Sequence, residues 1–245
     1  MLLEIYDIKS WKNFFDLIHD STTIVELKLD QEKCSMSLLN NAHICFYTVE
    51  YNKDFFGDYE INGEIESVLI FVADFYNIIK SANAKDRLIL STTEATLNII
   101  LEHDYNRRYF EIPLAEEYGD TPTPPNVPTT VEFQIPLQDL KQPCMDLDKI
   151  VKTDKFSINV SDNKLHINSP EDALTKYTQL FDVENTGSAS SIVNLGYIMD
   201  LQKLKDIDNL VTFRIGDGMP LCWSITSGDE CVKVEGMIAP IIEED

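Results

Sequence analysis

Apolar positions along this chain follow two periods, and the switches between them mark its elements. In Ser10–Asp20, Trp11, Phe14, Phe15 and Ile18 recur at i, i+3, i+4 and i+7, the spacing of one buried helical face. Leu140, Cys144, Leu147 and Val151 keep a helical spacing through Gln138–Val151. Two more helices are predicted over Val72–Ala82, with Val72, Phe75, Ile79 and Ala82 as the stripe, and over Leu195–Lys205. Strict alternation takes over in Ile24–Leu29 and in Lys155–Val160, as half-buried strands require. Polar turns then lead to second strands at Cys34–Leu39 and Lys164–Asn168, and strands return at Arg87–Ser91 and Leu210–Ile215.

The order helix, strands, helix, strands therefore occurs twice. Between the copies lies Tyr118–Pro128, with four prolines in eleven residues, which excludes helix interior and central strand and leaves a stiff, extended connector. The expected organisation is a domain over 1–117, a connector over 118–129 and a second domain over 130–245. The expected class is α+β: two similar β-rich units, each with two short helices.

With 245 residues, 44% of them hydrophobic and 25% charged, the chain can build a sizeable core, which excludes disorder for most of its length. A net charge of −22 predicts an average surface that repels nucleic acid and anionic membrane. No apolar run reaches the length of a bilayer span, and Met1–Asp7 lacks the basic region of a signal peptide. The cysteines at 34, 45, 144, 222 and 231 are odd in number and form no C-x-x-C pair, pointing to reduced, mostly buried thiols inside a cell. His43 and Cys45 would share a strand face at i, i+2, but no second pair of ligand spacing accompanies them, so no metal site is expected. There is no Gly-rich phosphate loop, no G-x-S-x-G and no H-E-x-x-H, and the carboxylates scatter over turns and polar faces. Neither catalysis nor a cofactor is expected.

Several segments resemble the proliferating cell nuclear antigen (PCNA) family of DNA sliding clamps. The ending Gly236–Asp245 is similar to the family's Ala-Pro-x-Ile-Glu closing run, and Ser35–Phe46 to its hydrophobic strand, turn and His-Val/Ile step. Gly218-Met-Pro-Leu resembles its Val-Pro-Leu, and Ile78-Ile-Lys-Ser-Ala its Ile-Leu-Lys-x-Ala. Their order over the full length, with the midpoint connector, identifies the chain as a member of that family. The resemblance implies the DNA-clamp fold and a closed trimeric ring around duplex DNA, with helices lining the hole. The ring would tether DNA polymerase, flap nuclease and DNA ligase through PCNA-interacting peptides, and a clamp loader would open it. Location would be cytoplasmic in an archaeon and nuclear in a eukaryote, with no membrane partner.

On that resemblance, Lys9, Lys12, Lys80, Lys141, Lys149, Lys203 and Lys205 are the DNA-facing candidates, with His19 beside them. Gln142, Met145 and Asn77 stand where relatives often carry basic residues, so the lining is expected to be weakly positive. Pro143 falls inside the third helix, which must either begin near it or bend. The client pocket would involve Leu39, His43, Ile44, Phe46, Val127, Pro220, Met237, Ala239 and Pro240, a greasy patch for a short 3₁₀ plug. Ile44 and Phe46 could equally be alternating core positions of a strand. Subunit pairing would use Arg107–Ile112 and Thr175–Phe181, with Arg107, Arg108, Tyr109, Phe110, Lys176 and Tyr177 at the edge and Asp182 or Glu184 opposite the arginines. The rivals are a subunit of a heterotrimeric clamp and, in another class, an acidic protein that mimics DNA.

Overall fold

A computed structural model describes residues 1–116, 122–184 and 187–242, so connector positions 118–121 lie outside the described residues. The chain forms two compact units: Met1–His43, Tyr47–Thr123 and Thr226–Val234 make the first; Ile44–Phe46, Pro124–Ile225 and Glu235–Asp245 make the second.

The first half of the chain runs β1 (Leu2–Ile5), α1 (Ile8–Ile18), β2 (Ile24–Asp30), β3 (Lys33–Leu39), β4 (Cys45–Asn52), β5 (Tyr59–Glu60), β6 (Ile65–Phe71), α2 (Val72–Lys80), β7 (Arg87–Thr92), β8 (Thr96–His103) and β9 (Asn106–Pro113). One sheet has the order β5-β1-β7-β8-β9, and the other strands run β4-β3-β2-β6. Helix α1 starts two residues before the periodicity suggests, because Asp7 caps it by accepting the Lys9 N–H at 3.2 Å and Ile8 is also buried. Its stripe is fully buried: Trp11 stacks on Tyr51 with centroids 5.2 Å apart, and Phe15 meets Phe75 of α2 at 4.7 Å. Each such side chain contributes about 1.5–3 kcal/mol on burial.

The second half of the chain runs β10 (Val131–Pro136), α3 (Leu137–Asp146), β11 (Lys155–Ser161), β12 (Lys164–Asn168), β13 (Thr178–Asp182), β14 (Ala189–Asn194), α4 (Leu195–Asp200), β15 (Leu210–Ile215), β16 (Leu221–Thr226) and β17 (Val232–Ile238). Strand pairing repeats between the halves. The order β1-β7-β8-β9 is answered by β10-β15-β16-β17, and β3-β2-β6 by β12-β11-β14. In each unit a strand leads into the first helix and another into the second, so both helices leave their sheets by the same kind of connection.

Several expected elements differ in detail. Helix α3 begins at Leu137, well before Pro143, so Pro143 lies inside it rather than in its first turn. The ring removes the N–H that would reach the Asp139 carbonyl. The Leu147 N–H contacts both the Pro143 and Cys144 carbonyls, and Leu147–Val151 continues as a wider π turn. That turn stops at Lys152, left-handed at φ 62°. The fourth helix is α-helical only over Leu195–Asp200 and tightens into a 3₁₀ turn at Leu201–Leu204, leaving Lys205 beyond it. Gly196 in its first turn weakens its propensity. His43 and Cys45 do not share a strand face: β4 starts at Cys45, while His43 occupies a turn with φ 58°, its N–H on the Asn40 carbonyl at 2.8 Å. The predicted edge segment Thr175–Phe181 becomes strand only at Thr178.

Candidate functional site

The polar faces of the helices carry the candidate lysines, and their surroundings divide them. Lys9, Lys80, Lys141, Lys149 and Lys205 are exposed, whereas Lys12 and Lys203 are half-buried. Lys12 donates from Nζ to the Ala82 carbonyl at 2.8 Å, closing the turn after α2. Lys149 pairs with Asp148 at 2.6 Å, and Lys203 with Asp200 one turn back at 3.0 Å. These surface pairs are worth little in stability, but each sets an anion beside a candidate cation. Lys80 stands over the Tyr76 ring, its Nζ 5.2 Å from the centroid. Burial, together with the Asp16 carboxylate that Tyr76 bonds, pushes that phenol up to about 12. His19 stacks on the same ring at 4.4 Å, its Nδ1 2.9 Å from the Asp16 carbonyl and its Nε2 3.2 Å from Asp20. Tyr76, absent from the sequence candidates, is thus the plate beneath Lys80; their i, i+4 spacing was the signal available.

Seven candidate pocket residues, Ile44, Phe46, Val127, Pro220, Met237, Ala239 and Pro240, belong to the second unit, while Leu39 and His43 belong to the first. Within the second unit, the Ala239 N–H bonds the Ile44 carbonyl at 2.8 Å, and the Ile241 N–H bonds Ile192 at the edge of β14 at 2.7 Å. Ile44 is 38% exposed and Phe46 only 6%, so Ile44 can offer a surface contact while Phe46 is a core position of β4. Val127, Pro220, Met237, Ala239 and Pro240 are half-buried. Two glycines shape this region. A Cβ on Gly216 would lie 2.5 Å from the connector's Pro128 carbonyl, and one on Gly236 would strike the Trp223 indole at 2.3 Å. Met219, exposed beside Pro220, escaped the sequence candidates.

Strands β9 and β13 each end their sheets, so both leave one backbone side open. Arg107 and Arg108 are already engaged within the first unit. Arg107 and Arg87 bond Glu102, and Arg87 also bonds Glu4. Arg108 donates to the Ser81 hydroxyl at 3.1 Å, the Ser81 carbonyl at 3.3 Å and Asp86 at 2.8 Å. Asp182 is paired with Lys164 at 2.9 Å. Tyr109 is exposed and Phe110 half-buried. Lys176 precedes β13 and bonds the Glu171 carbonyl; Tyr177 continues the ladder, its carbonyl accepting from Ser169 at 2.9 Å. Burial and the neighbouring Asp146 push the Tyr177 phenol up to about 12.

No family model matches the chain. A DNA polymerase sliding clamp of Methanothermobacter thermautotrophicus is 28% identical over 246 residues, 99% of this chain and 98% of that protein. One of Methanobrevibacter smithii is 26% identical over 245 residues, again 99% and 98%. Among solved structures, the PCNA2–PCNA3 complex from Sulfolobus tokodaii superposes with a TM-score of 0.87 at 17% identity, covering 99% of this chain and all of that one. PCNA from Entamoeba histolytica gives 0.87 at 12% identity, over 98% of each chain. Full-length sequence likeness and full-length fold likeness coincide. Over its full length this chain is similar in sequence to DNA polymerase sliding clamps and shares the fold of PCNA.

Among the described residues, no three His, Cys, Asp or Glu side chains are placed to hold a metal ion, and no helix is long and apolar enough to cross a membrane. All five cysteines are free; Cys34, Cys45, Cys144 and Cys222 are buried, and Cys231 is half-buried. Burial pushes the Cys34 and Cys144 thiols up to about 12, which makes them poor nucleophiles.

Proposed function

We propose that three copies of this chain close into a ring around duplex DNA, with domains at 1–117 and 130–245 joined by the 118–129 connector. The repeated strand pairing, with β9 and β13 both at sheet edges, is the observation that carries this proposal. Strand β9 of one copy would pair with β13 of the next, with Arg107, Arg108, Tyr109, Phe110, Lys176 and Tyr177 at the junction. Helices α1 to α4 would face the DNA through Lys9, Lys80, Lys141, Lys149, Lys203 and Lys205, giving sequence-independent phosphate contact. Lys12, committed to a carbonyl, would contribute its charge at longer range. Clients such as DNA polymerase, flap nuclease, DNA ligase and a clamp loader would dock peptides against the Ile44, Met237 and Pro240 region. The work is tethering, and no chemical step is assigned to it.

A second arrangement has one supporting observation: the PCNA2–PCNA3 likeness is to a complex of two different clamp chains. Size-exclusion chromatography with light scattering on the purified chain separates the two. A mass of about 84 kDa, three times 28.0 kDa, is expected for the homotrimer; a monomer at micromolar concentration would favour a mixed ring.

A further inference from the structure

We propose that Arg108 is a positioning residue, tying the open edge of β9 to the carboxyl end of α2 and so setting where Lys80 stands. This rests on the assignment of Lys80 to the DNA-facing surface. Alternation along β9 sends its two arginines to opposite faces of the sheet. Arg107 stays on the strand ladder, bonded to Glu102, its partner in register. Arg108 turns to the helix side and grips Ser81, the residue after Lys80, by hydroxyl and carbonyl, with Asp86 as third partner. Asp86 is 2% exposed and also takes the Asn83 N–H at 3.0 Å, so the grip has a fixed anchor. Lys12 closes the same turn from α1 through the Ala82 carbonyl. Two cations thus meet the negative end of the α2 dipole, and Lys80 projects from the turn they hold.

The consequence is a link from edge to lining. A strand that pairs with the open side of β9 changes its twist and fixes its backbone. A planar guanidinium holding two Ser81 atoms and a carboxylate transmits that restraint, which a lysine ammonium reproduces only in part. Lys80 is therefore held more firmly in an assembled clamp than in a lone chain.

The test compares full-length wild type with R108Q, R108K, K80A and the double variant R108Q/K80A. Binding of a short DNA duplex is followed by anisotropy from about 50 to about 200 mM salt, beside hydrogen exchange of amides 81–86. K80A and R108Q should each lower the slope of log K against log salt by about one for every phosphate left unneutralised. The double variant should match K80A alone, because both act through the same lysine. R108K should fall between wild type and R108Q, and R108Q but not K80A should speed exchange at 81–86. Losses that add in full in the double variant would overturn the positioning role, as would a wild-type slope in R108Q. A wild-type slope in K80A overturns the DNA-facing assignment and the positioning role with it. Unaccelerated exchange in R108Q overturns the tether itself.

Discussion

Asp86 shows how much one residue can hold. Burial alone would raise its carboxyl, but the Asn83 N–H, the Asn83 amide and the Arg108 guanidinium together hold it below the usual carboxylate value. A folded pKa below the unfolded 3.8 means its contribution is complete above that pH. The contribution is lost as pH falls through the lower folded value. Asp86→Ala should cost about 2 kcal/mol at neutral pH in urea denaturation, with the difference from wild type shrinking once both are measured below that value. Ile44 is a different case, a large apolar residue left exposed at the surface. Ile44→Asp should leave the oligomeric mass unchanged and abolish binding of a client peptide by calorimetry; an unaltered affinity would remove Ile44 from the site. Neither role was equally visible in advance. An apolar residue in a Ser35–Phe46 pattern could be flagged, but Asp86 is one acid among many until Arg108 folds onto it.

At the scale of elements, the sequence pattern placed α1 to α4 but not the short 3₁₀ turn at Lys53–Phe55, and local chemistry moved their ends. Trp11, Phe14, Phe15 and Ile18 were legible as a stripe because a helix repeats its face at fixed spacing, and all four are buried. What spacing does not register is backbone hydrogen bonding, and this is why α3 widens to a π turn and α4 tightens to 3₁₀. Pro143 is buried inside α3 where it removes one helical bond. Pro143→Ala restores that bond but gives up ring burial, and a net gain of about 1 kcal/mol is expected in chemical denaturation. A loss of stability would mean that the ring's packing outweighs the missing bond.

For the whole molecule, the net charge of −22 and the role of a DNA clamp look opposed until the sites are separated from the average. Few lysines are proposed to face the duplex, and Lys149 and Lys203 sit beside carboxylates. Contact with DNA is therefore expected to be loose and sensitive to salt, with retention coming from closure of the ring. Loaded clamps should survive about 200 mM salt on a closed circle and slide off a linear duplex with free ends. Equal half-lives on the two templates would show that direct contact, not topology, does the holding.

The sequence by itself determined the repeat, the helix and strand faces and the likeness to sliding clamps, because these rest on local spacing and on short motifs in order. Only the tertiary structure decided which lysines are committed to partners, that Tyr76 underlies Lys80, and that Arg108 reaches back to α2. Those facts join residues such as Lys12 and Ala82, or Arg108 and Ser81, that lie far apart in the chain. No local pattern encodes such a pairing; it exists only once the strands have set the helices against them.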